Sequence, residues 1–211
     1  ATREHLDPTK ESTSSGSKQV TVSEFTSNAK HREEFLPTCT RISQFSEHRE
    51  PKPGDRIIYV DGDFDLFHAG HATILKRAKE MGDFLVVGIH SDSEVNRIKG
   101  ANFPLLNLME RVLTVLSCRY VDEVIIGAPY TITHSMMYGI FDIHLVVHGT
   151  TPALPDSAGN DPYALPKSLK KYAEIEHDFA YLSTEFIVNR IFRHREEYEE
   201  RNKRKLAAAS K

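Results

Sequence analysis

The chain has 211 residues, 39% of them hydrophobic and 27% charged, with a formal net charge of −3. This is enough for one full domain with a proper core plus appendages, and the acidic balance speaks against general nucleic-acid binding, which needs a basic surface. No apolar run is long enough to cross a bilayer, so no integral membrane segment is expected; two cysteines, Cys39 and Cys118, form neither a disulfide framework nor a metal spacing and suit a reducing, cytoplasmic setting.

Residues 1–34 lack apolar periodicity. Ser12-Thr13-Ser14-Ser15-Gly16-Ser17 cannot bury enough surface to offset the entropy of ordering, so this stretch reads as a disordered linker. A domain is expected over residues 35–205, with Phe35 to Phe45 lying against its surface, and a tail over 206–211. Ile57-Ile58-Tyr59-Val60 predicts a buried strand. His71 to Met81 predicts a helix with Ile74, Leu75 and Ala78 on one face and Gly82 as its stop. Phe84 to Ile89 is the next strand, followed by a short helix opened by Ser91 or Asp92. Asn107 and Glu110 form a capping-box pattern that opens a helix through Val112, Leu113 and Leu116. Glu123 to Ile126 and His144 to Val147 predict two more strands. A final helix is expected from Ser183-Thr184, with Ile187, Ile191 and Tyr198 on one stripe. Glu197, Glu199 and Glu200 stand four residues before Arg201, Lys203 and Arg204, the spacing of exposed helical ion pairs.

Strands and helices that alternate, with continuously apolar strands, imply an α/β fold: a parallel sheet with helices on both faces. Ligands then bind beyond the carboxyl ends of the strands, in the loops after Val60, Ile89, Ile126 and Val147. The first of these reads Asp61-Gly62-Asp63-Phe64-Asp65-Leu66-Phe67-His68-Ala69-Gly70-His71. Gly62 allows a tight turn there, and Gly70 a close approach. His68 and His71 lie three apart at a helix start, where free amides and the positive dipole end favour a phosphate.

The run Phe64 to His71 resembles the signature of the cytidylyltransferases, which make CDP-choline, CDP-ethanolamine and CDP-glycerol. The likeness continues through Lys99-Gly100, Glu110-Arg111, Cys118-Arg119-Tyr120-Val121-Asp122-Glu123-Val124, Ala128-Pro129-Tyr130, His148-Gly149 and Ser183-Thr184. Phe35-Leu36-Pro37-Thr38, Asn107-Leu108, Cys118-Arg119, His148-Gly149-Thr150-Thr151 and Asp161-Pro162-Tyr163 resemble the second of the two tandem domains of the ethanolamine-phosphate members. The resemblance implies a Rossmann-like nucleotidyltransferase fold and an N-terminal tandem domain in cis that is missing before Ala1. A homodimer is compatible with it.

The activity so implied joins CTP and phosphoethanolamine into CDP-ethanolamine and pyrophosphate, with Mg2+ accompanying CTP and no protein metal cage. His68, His71 and Lys99 take the catalytic positions. Asp61, Asp63, Phe64, Gly70, His148, Gly149, Thr150, Thr151, Leu182, Ser183, Thr184 and Ile187 take nucleotide-binding ones, with the Thr184 side chain also capping the last helix. Arg111, Arg119 and Tyr130 are candidates for phosphate or substrate. Two departures from the pattern point to a rival, a catalytically weak CTP-binding partner domain. Asp178-Phe179-Ala180-Tyr181-Leu182 lacks the arginine expected before Ser183-Thr184, and Asp63 puts a carboxylate where relatives usually have an uncharged residue. A second rival is an adenylyltransferase of the same superfamily.

Overall fold

A computed structural model describes residues 50–100 and 102–209. The expected linker and the Phe35–Phe45 segment lie outside the described residues. Five strands form one sheet: β1 (Ile57–Gly62), β2 (Phe84–Ile89), β3 (Glu123–Ile126), β4 (Ile143–Gly149) and β5 (Tyr172–Ile175). All neighbours pair in parallel, in the order β3-β2-β1-β4-β5. Seven described helices connect and follow them: α1 (Ala69–Lys79), α2 (Asp92–Lys99), α3 (Leu108–Leu116), α4 (His134–Tyr138), α5 (Ala164–Ser168), α6 (Thr184–Arg193) and α7 (Arg195–Ala209).

Alternate strand residues feed two cores, as the pleat requires. On one face Ile58, Val60, Leu85, Val87 and Val124 pack with Leu75 and Ala78 of α1 and with Val112, Val115 and Leu116 of α3. On the other, Ile57, Tyr59, Phe84, Val86 and Ile125 pack with Met136 and Met137 of α4 and with Tyr163. The sheet is therefore covered on both faces, as the apolar runs imply.

Local chemistry sets the helix starts. The Ser91 hydroxyl accepts from the Glu94 amide at 3.3 Å and opens α2. Asn107 accepts from the Glu110 amide at 3.1 Å while Glu110 accepts from the Asn107 amide at 2.8 Å, so the expected capping box opens α3 with both bonds made.

Several expectations are corrected. Gly82 does not end α1 through a left-handed cap. It is needed because an added Cβ would stand 2.5 Å from the Arg56 carbonyl oxygen and from the Ile58 side chain. The turn after β1 does not use Gly62 for its left-handed positions, which fall on Phe64 (φ 52°) and Leu66 (φ 46°). The last helix breaks at His194 (φ −107°, ψ 16°), and α7 continues to Ala209, past the expected boundary at 205. Its apolar stripe is not a core face, since Ile191 is 50% and Tyr198 38% exposed. Of the three anticipated ion pairs only Glu200–Arg204 forms, at 3.5 Å; Glu199 pairs with Arg195 and Glu197 with His194.

Candidate functional site

The chain runs β1, β2, β3 to one side and then crosses back to place β4 on the other side of β1. Connections diverge there, which opens a crevice at the carboxyl ends of β1 and β4. A cavity of about 620 Å³ lies at this point, lined by the ends of both strands and by the starts of α1 and α6.

His68 is the N-cap of α1 and has extended backbone geometry. Its ring stacks on that of His71 with centroids 3.8 Å apart, and the Phe64 and Phe67 rings lie 5.2 and 5.6 Å from that of His71. The His68 backbone amide donates to His71 Nδ1 at 3.3 Å. That bond assigns the proton of a neutral His71 to Nε2, which becomes its donor. Burial, reinforced by the neighbouring His68, pulls the His71 pKa down to about 3. His71 is thus a neutral hydrogen-bond donor at physiological pH. Burial also lowers the His68 imidazole below its usual range. Gly70 lies between them because a Cβ there would come within 3.0 Å of the His68 ring and 3.3 Å of His177.

Lys99, the last residue of α2, reaches across to Asp63, with Nζ 2.5 Å from Oδ2 and 3.9 Å from Glu185 Oε1. Burial alone would raise the Asp63 carboxyl, yet the Lys99 ammonium prevails and holds it below the ordinary carboxylate range.

A second charged group sits at the end of β1. Asp61 is only 5% exposed; its Oδ1 accepts from the Tyr163 hydroxyl at 2.6 Å, while its Oδ2 is buried without a partner. Burial raises its pKa, and the nearby His90 and His148 oppose that rise. The His148 ring lies 4.9 Å from that of Tyr163, and Tyr130 meets His90 edge-on at 5.5 Å. The Tyr130 hydroxyl donates to the Leu154 carbonyl at 2.6 Å.

The cavity brings together His68, His71, Lys99, Asp61, Asp63, Phe64, Gly70, His148, Gly149, Thr151, Leu182, Ser183, Thr184 and Tyr130. Thr150, Ile187 and Arg119 do not line it; Arg119 is exposed and lies over the Tyr120 ring at 5.8 Å. Arg111 is wholly buried, and all three of its guanidinium nitrogens donate hydrogen bonds. It donates to the carbonyls of Leu106 (3.1 Å), Asp63 (2.7 Å) and His90 (2.8 Å) and to Asp92 Oδ1 (2.6 Å), so it braces three loops beneath the site. Thr184 does not cap α6. Ser183 does, accepting from the Phe186 amide at 3.1 Å, while the Thr184 hydroxyl donates to the Asp65 carbonyl at 3.1 Å and ties α6 to the signature loop.

The lining residues that were not foreseen include His90, Tyr163 and His177, together with Glu185 in the first turn of α6. His90 directly follows β2, where the strand-end rule already pointed. Tyr163 lies in Asp161-Pro162-Tyr163. His177 follows β5, a strand without an apolar run to announce it.

This fold and this site define an α/β domain of nucleotidyltransferase type, with two helix starts and a cationic side chain around a crevice at the strand ends. Residues 59–191 match the cytidylyltransferase-like family model. The chain belongs to the cytidylyltransferase-like family. It is 53% identical over 174 residues to an ethanolamine-phosphate cytidylyltransferase of Dictyostelium discoideum, covering 82% of this chain and 48% of that protein. The Arabidopsis thaliana protein of the same name is 49% identical over 84% of this chain and 42% of its own length. The rat choline-phosphate cytidylyltransferase A is 38% identical over 69% of this chain and 39% of its own. The chain spans about half the length of the ethanolamine-phosphate relatives. No helix among the described residues is long and apolar enough to cross a membrane.

Proposed function

We propose that this domain binds CTP and transfers its cytidylyl group to phosphoethanolamine, giving CDP-ethanolamine and pyrophosphate for phosphatidylethanolamine synthesis. One observation carries the choice of substrate: the buried Asp61 oxygen without a partner in the same cavity as the α1 start and Lys99. A phosphate ester with a cationic tail matches both features. Its phosphate suits the helix amides and Lys99, and its ammonium suits Asp61. An N–H of a primary ammonium can donate to Asp61 Oδ2, which the methyl groups of a choline cannot do. The Dictyostelium and Arabidopsis ethanolamine-phosphate enzymes are also higher in identity than the rat choline-phosphate enzyme.

The chemistry asks for no side-chain nucleophile. A phosphomonoester has a second pKa of about 6 and is largely ionised at neutral pH. Its oxygen forms a bond to the α-phosphorus of CTP while the bond from that phosphorus to the bridging oxygen breaks, and pyrophosphate leaves with the electron pair. The residues must align the reactants and stabilise charge on the phosphoryl oxygens. His71, neutral with Nε2–H free to donate, and His68 beside it take this role at the α-phosphate. The amides opening α1 and α6 hold the remaining phosphates. Magnesium, when bound, adds charge neutralisation on the triphosphate. The Asp63–Lys99 pair favours a second reading, in which the domain binds CTP but turns over slowly because its lysine is already neutralised.

The test is calorimetry of CTP against ATP, followed by phosphorus NMR with CTP, magnesium and either phosphoethanolamine or phosphocholine. CTP is expected to bind more tightly, and CDP-ethanolamine to form in preference to CDP-choline. Asp61→Asn should erase that preference. Equal affinities for CTP and ATP would refute the nucleotide assignment, and an unchanged preference in Asp61→Asn would refute the ammonium site.

A further inference from the structure

Asp63 stands in the wrong place for a simple anion site. It lines the cavity, its side chain is only 17% exposed, and it pairs with Lys99, the lysine best placed to meet phosphates. Metal-free triphosphate then faces two unfavourable outcomes. If Lys99 stays on Asp63, the phosphates lose its charge. If Lys99 turns to the phosphates, a mostly buried carboxylate is left without a counter-charge next to several negative oxygens. A divalent cation removes the conflict. Among the described residues no cluster of three or more His, Cys, Asp or Glu could hold a metal, so those residues alone build no cage. Magnesium on a triphosphate needs only one or two protein carboxylates, with phosphate oxygens and water completing the shell. Asp63, whose Oδ2 is held by the Lys99 ammonium at 2.5 Å, fits that requirement.

We propose that Asp63 is a metal-dependent gate on the phosphate site: it neutralises Lys99 while the site is empty, and gives its carboxylate to the divalent cation carried by the nucleotide once Lys99 turns to the phosphates. The proposal rests on the reading of this cavity as a CTP site. It makes magnesium a condition of tight CTP binding and not only of chemistry. The charged and titratable groups that face the pair are Glu185, 3.9 Å from the Lys99 ammonium, and the imidazoles of His68, His71 and His90.

Calorimetric titration of the full chain with CTP, in EDTA and in millimolar magnesium, tests it. Asp63→Asn preserves the shape and removes the charge; Asp63→Ala serves as a second variant if the first misfolds. Relative to the unmodified chain, Asp63→Asn should bind CTP about tenfold more tightly in EDTA, as removal of a carboxylate a few ångströms from phosphates implies. Its gain on adding magnesium should shrink by a similar factor. Lys99→Met should do the reverse, weakening CTP binding most in EDTA. Equal magnesium enhancement in the unmodified chain and both Asp63 variants would overturn the gate while leaving the CTP site intact. Failure of every protein to bind CTP with or without magnesium would instead refute the CTP reading, and the gate with it.

Discussion

Replacing Arg111 by methionine separates a brace from a phosphate ligand. The change keeps most of the apolar stem and deletes a guanidinium that has no solvent exposure. Four bonds go at once: three to the carbonyls of Leu106, Asp63 and His90 and one to Asp92. Each buried carbonyl left without a donor costs about 1–3 kcal/mol. Asp92 adds little, because its side chain is 48% exposed and water can solvate it again. Relief from holding a charge out of water offsets part of the loss. Removing one partner of a buried pair typically nets about 3–5 kcal/mol, against a total stability of roughly 5–15 kcal/mol for a domain. A fall in Tm of roughly 10 °C is expected. Urea unfolding followed by circular dichroism measures the loss. Arg111→Lys should recover only part of it, since an ammonium cannot span carbonyls arranged for a planar fork. A loss under about 1 kcal/mol, together with a large drop in CTP affinity, would refute the brace and put the guanidinium on the nucleotide.

Two further outcomes follow from the site. The folded-state pKa of His71 lies far below the ordinary 6.5, so below about pH 6.5 the unfolded chain takes up the proton first and stability falls as pH falls. The slope from this group is as much as ~1.4 kcal/mol per pH unit, giving a loss of roughly 2 kcal/mol by pH 5. His71→Asn should flatten the profile in that window, and a parallel profile would show that His71 is not the buried neutral group. Thr184→Val keeps the shape but leaves the Asp65 carbonyl without its donor. A stability loss of about 1–2 kcal/mol is expected in urea unfolding, and no change would sink the proposed tie between α6 and the signature loop.

How much of this molecule can be read in advance depends on the range of the forces involved. The Asn107–Glu110 box and the Ser91 cap are settled within four residues, and both form as their spacing predicts. Strands β1 to β4 announce themselves through short apolar runs, most completely in β1 and β2, which are buried along nearly their whole length. Strand β5 does not: it pairs only with β4, and its Tyr172-Ala173-Glu174-Ile175 keeps a polar residue on an edge that needs less cover. Helices α4 and α5, five residues each, are too short for a helical period to emerge. The stripe on the last helix marks a helix but cannot say whether anything covers it, and Ile191 is left half-exposed.

The site divides along the same line. His68, His71 and Gly70 are legible because a strand, a turn and a helix start place them without help from the rest of the chain. Arg111 and Asp63 are not, because what they do is decided by partners from other loops. Side-chain type alone leaves an arginine on a helix open to solvent, a phosphate or three carbonyls. Only the arrival of the Asp63, His90 and Leu106 carbonyls around α3 selects the last. Asp63 likewise reads from its motif as a charge opposed to phosphate, yet its meaning depends on Lys99 at the end of α2. A carboxylate in a phosphate loop is therefore not by itself a sign of lost function. Paired with the lysine that faces it, the same charge can make binding conditional on a cation, and the two cases differ in whether magnesium changes the affinity for CTP.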